Sequence, residues 1–150
     1  MKPYDLIVIG SGPGGQRAAI QGAKAGKGVA VIEKHSAIGG VCIKTGTIPS
    51  KTMREAVLHL SGFYCKNFYG ANHTAVENIT MADLVFRVQR VVENEVGVTE
   101  DQLKRNGVDV FHGTGKFMDA HHLQVENGNG IAEFAVPIFR YRYRHEACGE

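Results

Sequence analysis

Two sets of residues near the start of the chain have the types and spacing for chemistry: residues 10–15, which read GSGPGG, and the acid Glu33. Glycines here allow a tight turn and let the backbone come within contact of a pyrophosphate. A helix that starts at this turn would offer unpaired N–H groups and a partial positive charge to phosphates. Glu33 could accept hydrogen bonds from both hydroxyls of a ribose, and it would repel a 2′-phosphate. The pattern predicts a site for FAD or NAD rather than NADP.

The elements that must position these residues follow from the hydrophobic pattern. Residues 4–9, which include the apolar and largely β-branched run 6–9, predict a buried strand, while residues 13–26 predict a helix that ends at a glycine. Residues 29–33 predict a second strand with Glu33 at its end. This order of strand, glycine turn, helix, strand and acid predicts an α/β fold with a parallel sheet, Rossmann-like and three-layered.

The rest of the chain predicts a longer connection and a small second sheet. After the glycine pair Gly39 and Gly40, residues 41–60 look helical but contain Gly46 and Pro49, so we expect a short helix, a kink and a second helix from about Ser50. Residues 61–78 look irregular. The remaining predictions are a helix capped by Thr80 with Asp83 and ending near Asn106-Gly107, a strand over 108–111, a turn over 113–115, and an antiparallel β-meander of 116–118, 123–125 and 131–136.

Composition excludes several classes of function. The chain has 150 residues, 43% of them hydrophobic, and a net charge of +2, which is too small to favour nucleic acid. No apolar run is long enough to cross a bilayer, and we expect no membrane partner. Its three cysteines do not make a disulfide framework, and the chain enters a strand at once without a secretory signal, so a cytoplasmic location is expected. His121-His122 lacks the spacing and the neighbours of a metal site, and no metal is expected.

A second motif makes the first one specific. Residues 39–51 read GGVCIKTGTIPSK and resemble the flavoprotein disulfide reductase family, in which a glycine pair leads into a Cys-x4-Cys redox pair beside the flavin. The resemblance runs from Tyr4 to about Val136. It includes residues 113–117, GTGKF, which look like the family's second glycine turn near the FAD adenine. The resemblance therefore implies that the predicted dinucleotide is FAD.

One position departs from the family pattern. Thr47 stands where the second cysteine of the pair belongs, and a hydroxyl cannot form a disulfide, so Cys42 has no local partner. Within the family, this combination is similar to the branch that passes hydride from NADPH to NAD through the flavin, the Si-specific nicotinamide nucleotide transhydrogenases. Two alternatives stay open: a dihydrolipoamide dehydrogenase-like reductase that lost a cysteine, and a truncated FAD-binding module without activity.

The resemblance also implies roles for individual residues and partners. Lys51 should lie near the flavin N5 and stabilise negative charge on the reduced ring, while Cys42 should sit against the isoalloxazine, either with a role in the reaction or only packed there. NAD(H) and NADP(H) would be substrates of the full-length enzyme, a homo-oligomer with one FAD per subunit. The residues expected to contact the cofactor are Gly10, Gly12, Pro13, Gly14, Gly15, Glu33, Lys34, Gly39, Gly40, Val41, Cys42, Thr47, Lys51 and Gly115.

The domain organisation is read from the same resemblance. Residues 1–136 are expected to form the N-terminal part of an FAD-binding domain, incomplete and inactive by itself, because family members need several hundred residues. Residues 137–150 alternate aromatic and basic side chains and do not continue the family pattern. We expect this tail to be foreign to the family fold, as after a frameshift.

Overall fold

The computed structural model describes residues 4–60, 80–119, 121–128 and 130–135. The chain divides into two compact units, one formed by Met1–Gly40 with Val98–Glu150 and the other by Val41–Gly97. The irregular stretch predicted over 61–78 and the tail over 137–150 lie outside the described residues. The predicted boundary at residue 136 is therefore still a prediction.

The first unit contains a parallel sheet. Its strands are β1 (Leu6–Ile9), β2 (Val29–Glu33) and β3 (Asp109–His112), in the order β1-β2-β3, and helix α1 (Pro13–Lys24) connects β1 to β2. All five residues of β2 are buried, as is typical of a central parallel strand. The predicted strands and helix are confirmed, with β3 one residue later than expected.

The first unit also contains the predicted antiparallel meander. It consists of β4 (Thr114–Phe117), β5 (His122–Asn127) and β6 (Gly130–Ala135), and β5 pairs with both neighbours. Alternate residues of β5, Leu123 and Val125, are fully buried and share a core cluster with residues of the parallel sheet. The alternation places every second side chain of β5 on the core side.

The predicted turn over 113–115 needs correction. Strand β4 begins at Thr114, so Gly115 lies inside a strand and only Gly113 makes the turn. Gly113 has φ +156°, and a Cβ there would lie 2.7 Å from the carbonyl oxygen of Glu126. The glycine is needed because β5 passes too close for any side chain.

Helices α2 (Gly40–Lys44) and α3 (Thr47–Leu60) follow the parallel strands β1 and β2 in sequence. The predicted kink is a break between them, where the N–H of Gly46 donates to the carbonyl of Val41 at 2.7 Å. Helix α3 begins at Thr47, three residues before the predicted start. Pro49 is tolerated there because the first turn of a helix has no intrahelical partners for its N–H groups.

Helix α4 (Met81–Arg105) begins and ends as predicted. The Asp83 carboxylate accepts the N–H of Thr80 at 2.9 Å and its hydroxyl at 2.6 Å, and Thr80 Oγ1 accepts the N–H of Asp83 at 3.3 Å. This reciprocal cap satisfies N–H groups that the helix leaves unpaired. At the other end, Gly107 adopts φ +71° and stops the helix, as a left-handed cap does.

Tyr4 joins the two sheets and generates a prediction about stability. Its hydroxyl donates to Asp109 Oδ2 of β3 at 2.7 Å, and its ring packs edge-on against Phe111 of β3 with the ring centroids 6.0 Å apart. The same ring lies against Phe134 of β6, with the centroids 6.2 Å apart. Tyr4→Phe keeps the ring packing and removes the hydrogen bond, so we expect it to lower the free energy of unfolding by about 1.5 kcal/mol at pH 7. Urea unfolding followed by circular dichroism measures this difference.

The same substitution has a pH signature. Burial, the hydrogen bond to Asp109 and the negative charge of Asp109 raise the pKa of Tyr4 to about 12, from 10.0. The stabilisation is then complete below about pH 10 and lost as the pH rises towards about 12. The gap in unfolding free energy between wild type and Tyr4→Phe should shrink over that interval. A gap that stays constant across it would contradict this role for the hydroxyl.

Candidate functional site

The glycine turn begins where β1 ends. Gly10 adopts φ +95°, and its N–H donates to the carbonyl of Ile32 at 2.7 Å, which ties the turn to the end of β2. Two residues later Gly12 is the N-cap of helix α1, with Pro13 at the start of the helix. The turn therefore directs the helix N-terminus to the carboxyl end of the sheet, the edge at which α/β folds bind ligands.

Gly15 is required by packing. A Cβ at this position would overlap the carbonyl oxygen of Gly10 and lie 3.3 Å from Cγ1 of Val8. The first turn of α1 therefore packs backbone against backbone on the end of β1. A glycine at this position therefore allows the close approach of helix and strand.

Gly12 is not required by the fold. Its φ of −64° and ψ of 173° are open to any residue, and a Cβ there would meet nothing within 4 Å. Among the described residues no side chain caps this end of α1, and its first turn carries no acid. The N–H groups of Gly14 and Gly15 have no intrahelical partner by geometry and remain available to an anion. Gly12 thus keeps open a space beside a helix N-terminus.

The glycine pair after β2 comes against this same turn. Gly39 and Gly40 adopt φ +113° and +64°, conformations that favour glycine. A Cβ on Gly40 would lie 2.9 Å from Cα of Gly12. The structure therefore brings together the turn and the glycine pair, two segments that the sequence separates by more than twenty residues.

Glu33 lies between these two segments and is almost fully buried, with 5% of its surface exposed. Its Oε2 accepts the N–H of Ser11 at 2.9 Å and the hydroxyl of Ser11 at 2.6 Å, and its Oε1 accepts the N–H of His35 at 3.0 Å. Burial alone would raise the pKa of Glu33, but these hydrogen bonds outweigh it and hold the pKa below its ordinary value. The acid is therefore a carboxylate at neutral pH, fixed in orientation.

Ser11 is the residue that sequence reasoning missed. Its hydroxyl also accepts the N–H of Gly39 at 2.9 Å, and Gln16 Nε2 donates to its carbonyl at 2.7 Å. A small hydroxyl residue between two glycines was a signal for such a role, because only a short side chain fits beside a tight turn. Its partners could not be identified without the tertiary structure.

The residues expected beside the flavin occupy two consecutive helices of the chain. Cys42 lies on α2, half-buried, and its thiol is free. Thr47 begins α3, and Lys51 lies one turn later on the same helix. Both side chains are exposed, and Val41 on α2 is 55% exposed. The local geometry agrees with the absence of a disulfide at Cys42. Their roles beside a cofactor remain predictions.

Two further predicted contacts are less distinctive. Lys34 follows Glu33 and is exposed. A Cβ on Gly115 would make ordinary contact with Ile32 at 3.6 Å, so packing within the unit does not exclude a side chain there. Both stay predictions as cofactor contacts.

The described part of the chain contains no group of three or more side chains that could hold a metal ion. His122 Nδ1 lies 2.7 Å from Asp119 Oδ2 in an exposed turn, and this pair has no third ligand among the described residues. Within the same residues, none of the helices combines the length and the apolar character needed to cross a membrane.

The sequence profile of the family described as "Pyridine nucleotide-disulphide oxidoreductase" matches residues 4–133. The chain belongs to this family. The matched region contains the glycine turn, Glu33, the glycine pair and both sheets except for the last two residues of β6. The α/β fold inferred from the motifs is thereby confirmed, together with the resemblance on which it rested.

Two curated relatives of this chain carry the same name, soluble pyridine nucleotide transhydrogenase. A soluble pyridine nucleotide transhydrogenase of Mycobacterium tuberculosis is 54% identical over 127 residues, which cover 85% of this chain and 27% of the relative. A protein of the same name from Vibrio parahaemolyticus is 38% identical over 130 residues, covering 87% of this chain and 28% of the relative. The chain therefore spans little more than a quarter of the length of these relatives.

A solved structure supports the same fold. The Cu(II) complex of the HOCl-induced flavoprotein disulfide reductase RclA from Escherichia coli matches with a TM-score of 0.76 and 26% identity. The match covers 93% of this family member and 28% of that chain.

The packing of Gly15 generates a prediction with a matched control. Gly15→Ala places a methyl group against the Gly10 carbonyl, so we expect a loss of about 3 kcal/mol in unfolding free energy, or failure to fold. Gly14→Ala makes the same change one residue earlier, where nothing lies within 4 Å. It should leave the fold intact and raise the free energy of unfolding by up to about 1 kcal/mol, because alanine is a better helix former than glycine. Thermal unfolding of both variants tests this, and equal midpoints would contradict the close packing.

Glu33 generates a prediction about acid stability. Because its pKa is lowered on folding from 4.5, the stabilisation is complete above that value and lost as the pH falls through the folded-state pKa. Glu33→Gln removes the charge and turns the side-chain NH2 group towards a hydrogen-bond donor of Ser11 or His35. We expect this to lower the free energy of unfolding by about 2 kcal/mol at pH 7. The difference in unfolding free energy between wild type and Glu33→Gln should shrink below about pH 4.5.

The control for Glu33 is Glu133→Gln, the same change at an exposed strand position. Urea unfolding between about pH 3 and 7 should show little effect of the control at any pH. A Glu33→Gln difference that does not depend on pH would contradict the hydrogen-bonded carboxylate.

Proposed function

We propose that these residues bind FAD and belong to a Si-specific nicotinamide nucleotide transhydrogenase, an oxidoreductase that passes hydride from NADPH to NAD. When bound, FAD supplies the redox chemistry, because its ring accepts hydride from one nicotinamide and donates it to the other. The protein contributes binding, orientation and electrostatics. The names of the curated relatives and the family membership support the proposal.

The observation that carries the FAD-binding part is the open space at Gly12. A position where the backbone suits any residue and where a Cβ would be unobstructed has no packing reason to be glycine. The space lies beside the N-terminus of α1, whose free N–H groups suit a pyrophosphate. Glu33 is a carboxylate next to it, suited to a ribose hydroxyl and unsuited to a 2′-phosphate. Together these residues fit the adenosine diphosphate half of FAD.

The flavin half of the proposal rests on the second motif. We assign Lys51 to the stabilisation of negative charge on the reduced ring, since it is a lysine and exposed. Cys42 is assigned to contact with the ring, with no redox disulfide. The remaining predicted contacts, Pro13, Lys34 and Val41, are exposed and open to a ligand.

Thr47 favours hydride relay over dithiol reduction. A reductase of the dihydrolipoamide dehydrogenase type needs a second thiol to accept electrons from the flavin, and Thr47 cannot supply one. The free thiol of Cys42 is consistent with this. Hydride transfer between two nicotinamides needs no such group.

The whole-protein properties belong to the proposal as well. NAD(H) and NADP(H) are its substrates, it assembles as a homo-oligomer, and it works in the cytoplasm, in keeping with a free thiol. The 150-residue chain by itself holds FAD without turnover, because it carries one dinucleotide fingerprint.

The test is Gly12→Ala, which puts a methyl group into the space assigned to the pyrophosphate. We expect FAD affinity to fall by about tenfold or more, a cost of about 1.4 kcal/mol, while circular dichroism shows a retained fold. Gly97→Ala is the matched control, because its Cβ position is also open. The control should bind FAD as wild type does. Flavin fluorescence anisotropy measures both.

The outcomes separate the functional classes. Wild-type chain that binds FAD but transfers no hydride from NADPH to a NAD analogue supports a flavin-holding module, and measurable transfer contradicts the proposed lack of turnover. Wild-type chain that takes up no FAD overturns the proposal, and so does a Gly12→Ala variant that binds FAD with unchanged affinity.

A further inference from the structure

The Ser11 side chain is fully buried, with 0% of the residue exposed, and it makes contacts to two other segments. Its hydroxyl donates to Glu33 Oε2 at 2.6 Å and accepts the N–H of Gly39 at 2.9 Å. Its own N–H donates to the same Oε2 at 2.9 Å. One serine thus connects the glycine turn, the end of β2 and the glycine pair.

These contacts limit what Glu33 can still accept. A carboxylate has about four lone-pair positions, two on each oxygen. Ser11 occupies both positions of Oε2, and the N–H of His35 occupies one position of Oε1. Among the described residues this leaves one acceptor position, on Oε1. The carboxylate therefore has room for one further donor, where the sequence predicted two ribose hydroxyls.

We propose that Ser11 is a positioning residue for nucleotide recognition: it saturates Oε2 of Glu33, so that the site reads one ribose hydroxyl of the adenosine and ignores the other. The inference rests on the proposed function, because it takes FAD as the ligand. It adds a specificity that the glycine fingerprint does not contain.

The physical reason lies in how the carboxylate is held. A free carboxylate can present one oxygen to each of two vicinal hydroxyls, but the Ser11 N–H and hydroxyl both point at Oε2 and fix its plane. Rotation of the carboxylate would leave the buried Ser11 hydroxyl without its acceptor, which is costly in a dry environment. Because the same hydroxyl accepts the N–H of Gly39, its orientation is fixed from both sides.

The experiment compares FAD with two analogues that lack either the 2′- or the 3′-hydroxyl of the adenosine ribose. Anisotropy titrations use the full 150-residue chain. We expect one analogue to bind about as tightly as FAD and the other about tenfold more weakly, the factor typical of one lost hydrogen bond to a charged group. This measurement needs no variant, so it does not depend on a substitution that could impair folding.

Ser11→Ala then tests the serine itself. Without the hydroxyl, one position on Oε2 becomes free, and the analogue tolerated by wild type should now bind about threefold to tenfold more weakly than FAD. The matched control is Ser36→Ala, the same change at an exposed serine on the loop after β2, which should leave the pattern unaltered. A purely structural role for Ser11 would change overall affinity without changing the ratio between analogues.

Each outcome bears on a separate claim. Absence of FAD binding by wild type overturns the proposed function. Binding of FAD with both analogues equally weakened means that both oxygens take hydroxyls, and it overturns the inference about Ser11 alone. Two analogues as tight as FAD also overturn it, because Glu33 then contacts neither hydroxyl. A folded Ser11→Ala variant that keeps the wild-type ratio does the same.

Discussion

The buried carboxylate of Glu33 is the interaction on which the candidate site depends. Within the part of the chain that the structure describes, it accepts three hydrogen bonds, from the N–H and hydroxyl of Ser11 and the N–H of His35. A carboxylate in a largely dry position is costly unless such donors surround it. Because the donors come from the glycine turn and from the loop after β2, the charge holds together segments that the sheet alone would leave free. In the proposed FAD site, the same charge would disfavour a nucleotide with a 2′-phosphate.

The glycines of the site divide into two physical classes. Gly15 and Gly40 are required by the fold, since a Cβ on either would meet backbone atoms of the turn. Gly12 has an ordinary conformation and an unobstructed Cβ position beside a helix N-terminus, which is consistent with a ligand there. The sequence alone does not separate the two classes, because every one of these residues is a glycine. The distinction matters because only a position of the second class tests binding without disturbing the fold.

Much of the fold could be predicted from the sequence. The βαβ unit, the capped helix α4 and the antiparallel meander follow from hydrophobic periodicity and from local caps, which depend on residues close in the chain. The errors are local too. Helix α3 begins at Thr47, because a proline within a first turn costs little, and Gly115 lies in β4, because pairing with β5 extends that strand nearly to Gly113. The local sequence pattern does not specify which strands pair with each other, nor the residue at which a helix near a proline begins.

For the candidate site, the sequence by itself determined which residues could bind a dinucleotide: the glycine turn, the acid after β2 and the glycine pair, whose chemistry is a property of residue type and spacing. It also determined that Cys42 lacks the family's usual disulfide partner, because position 47 holds a threonine. Only the tertiary structure decided that Ser11 bridges Glu33 and Gly39, and that the donors of the described residues leave one acceptor position of the carboxylate open. Hydrogen bonds between residues 22 and 28 positions apart depend on how the strands and turn pack, and no local pattern in the chain specifies them.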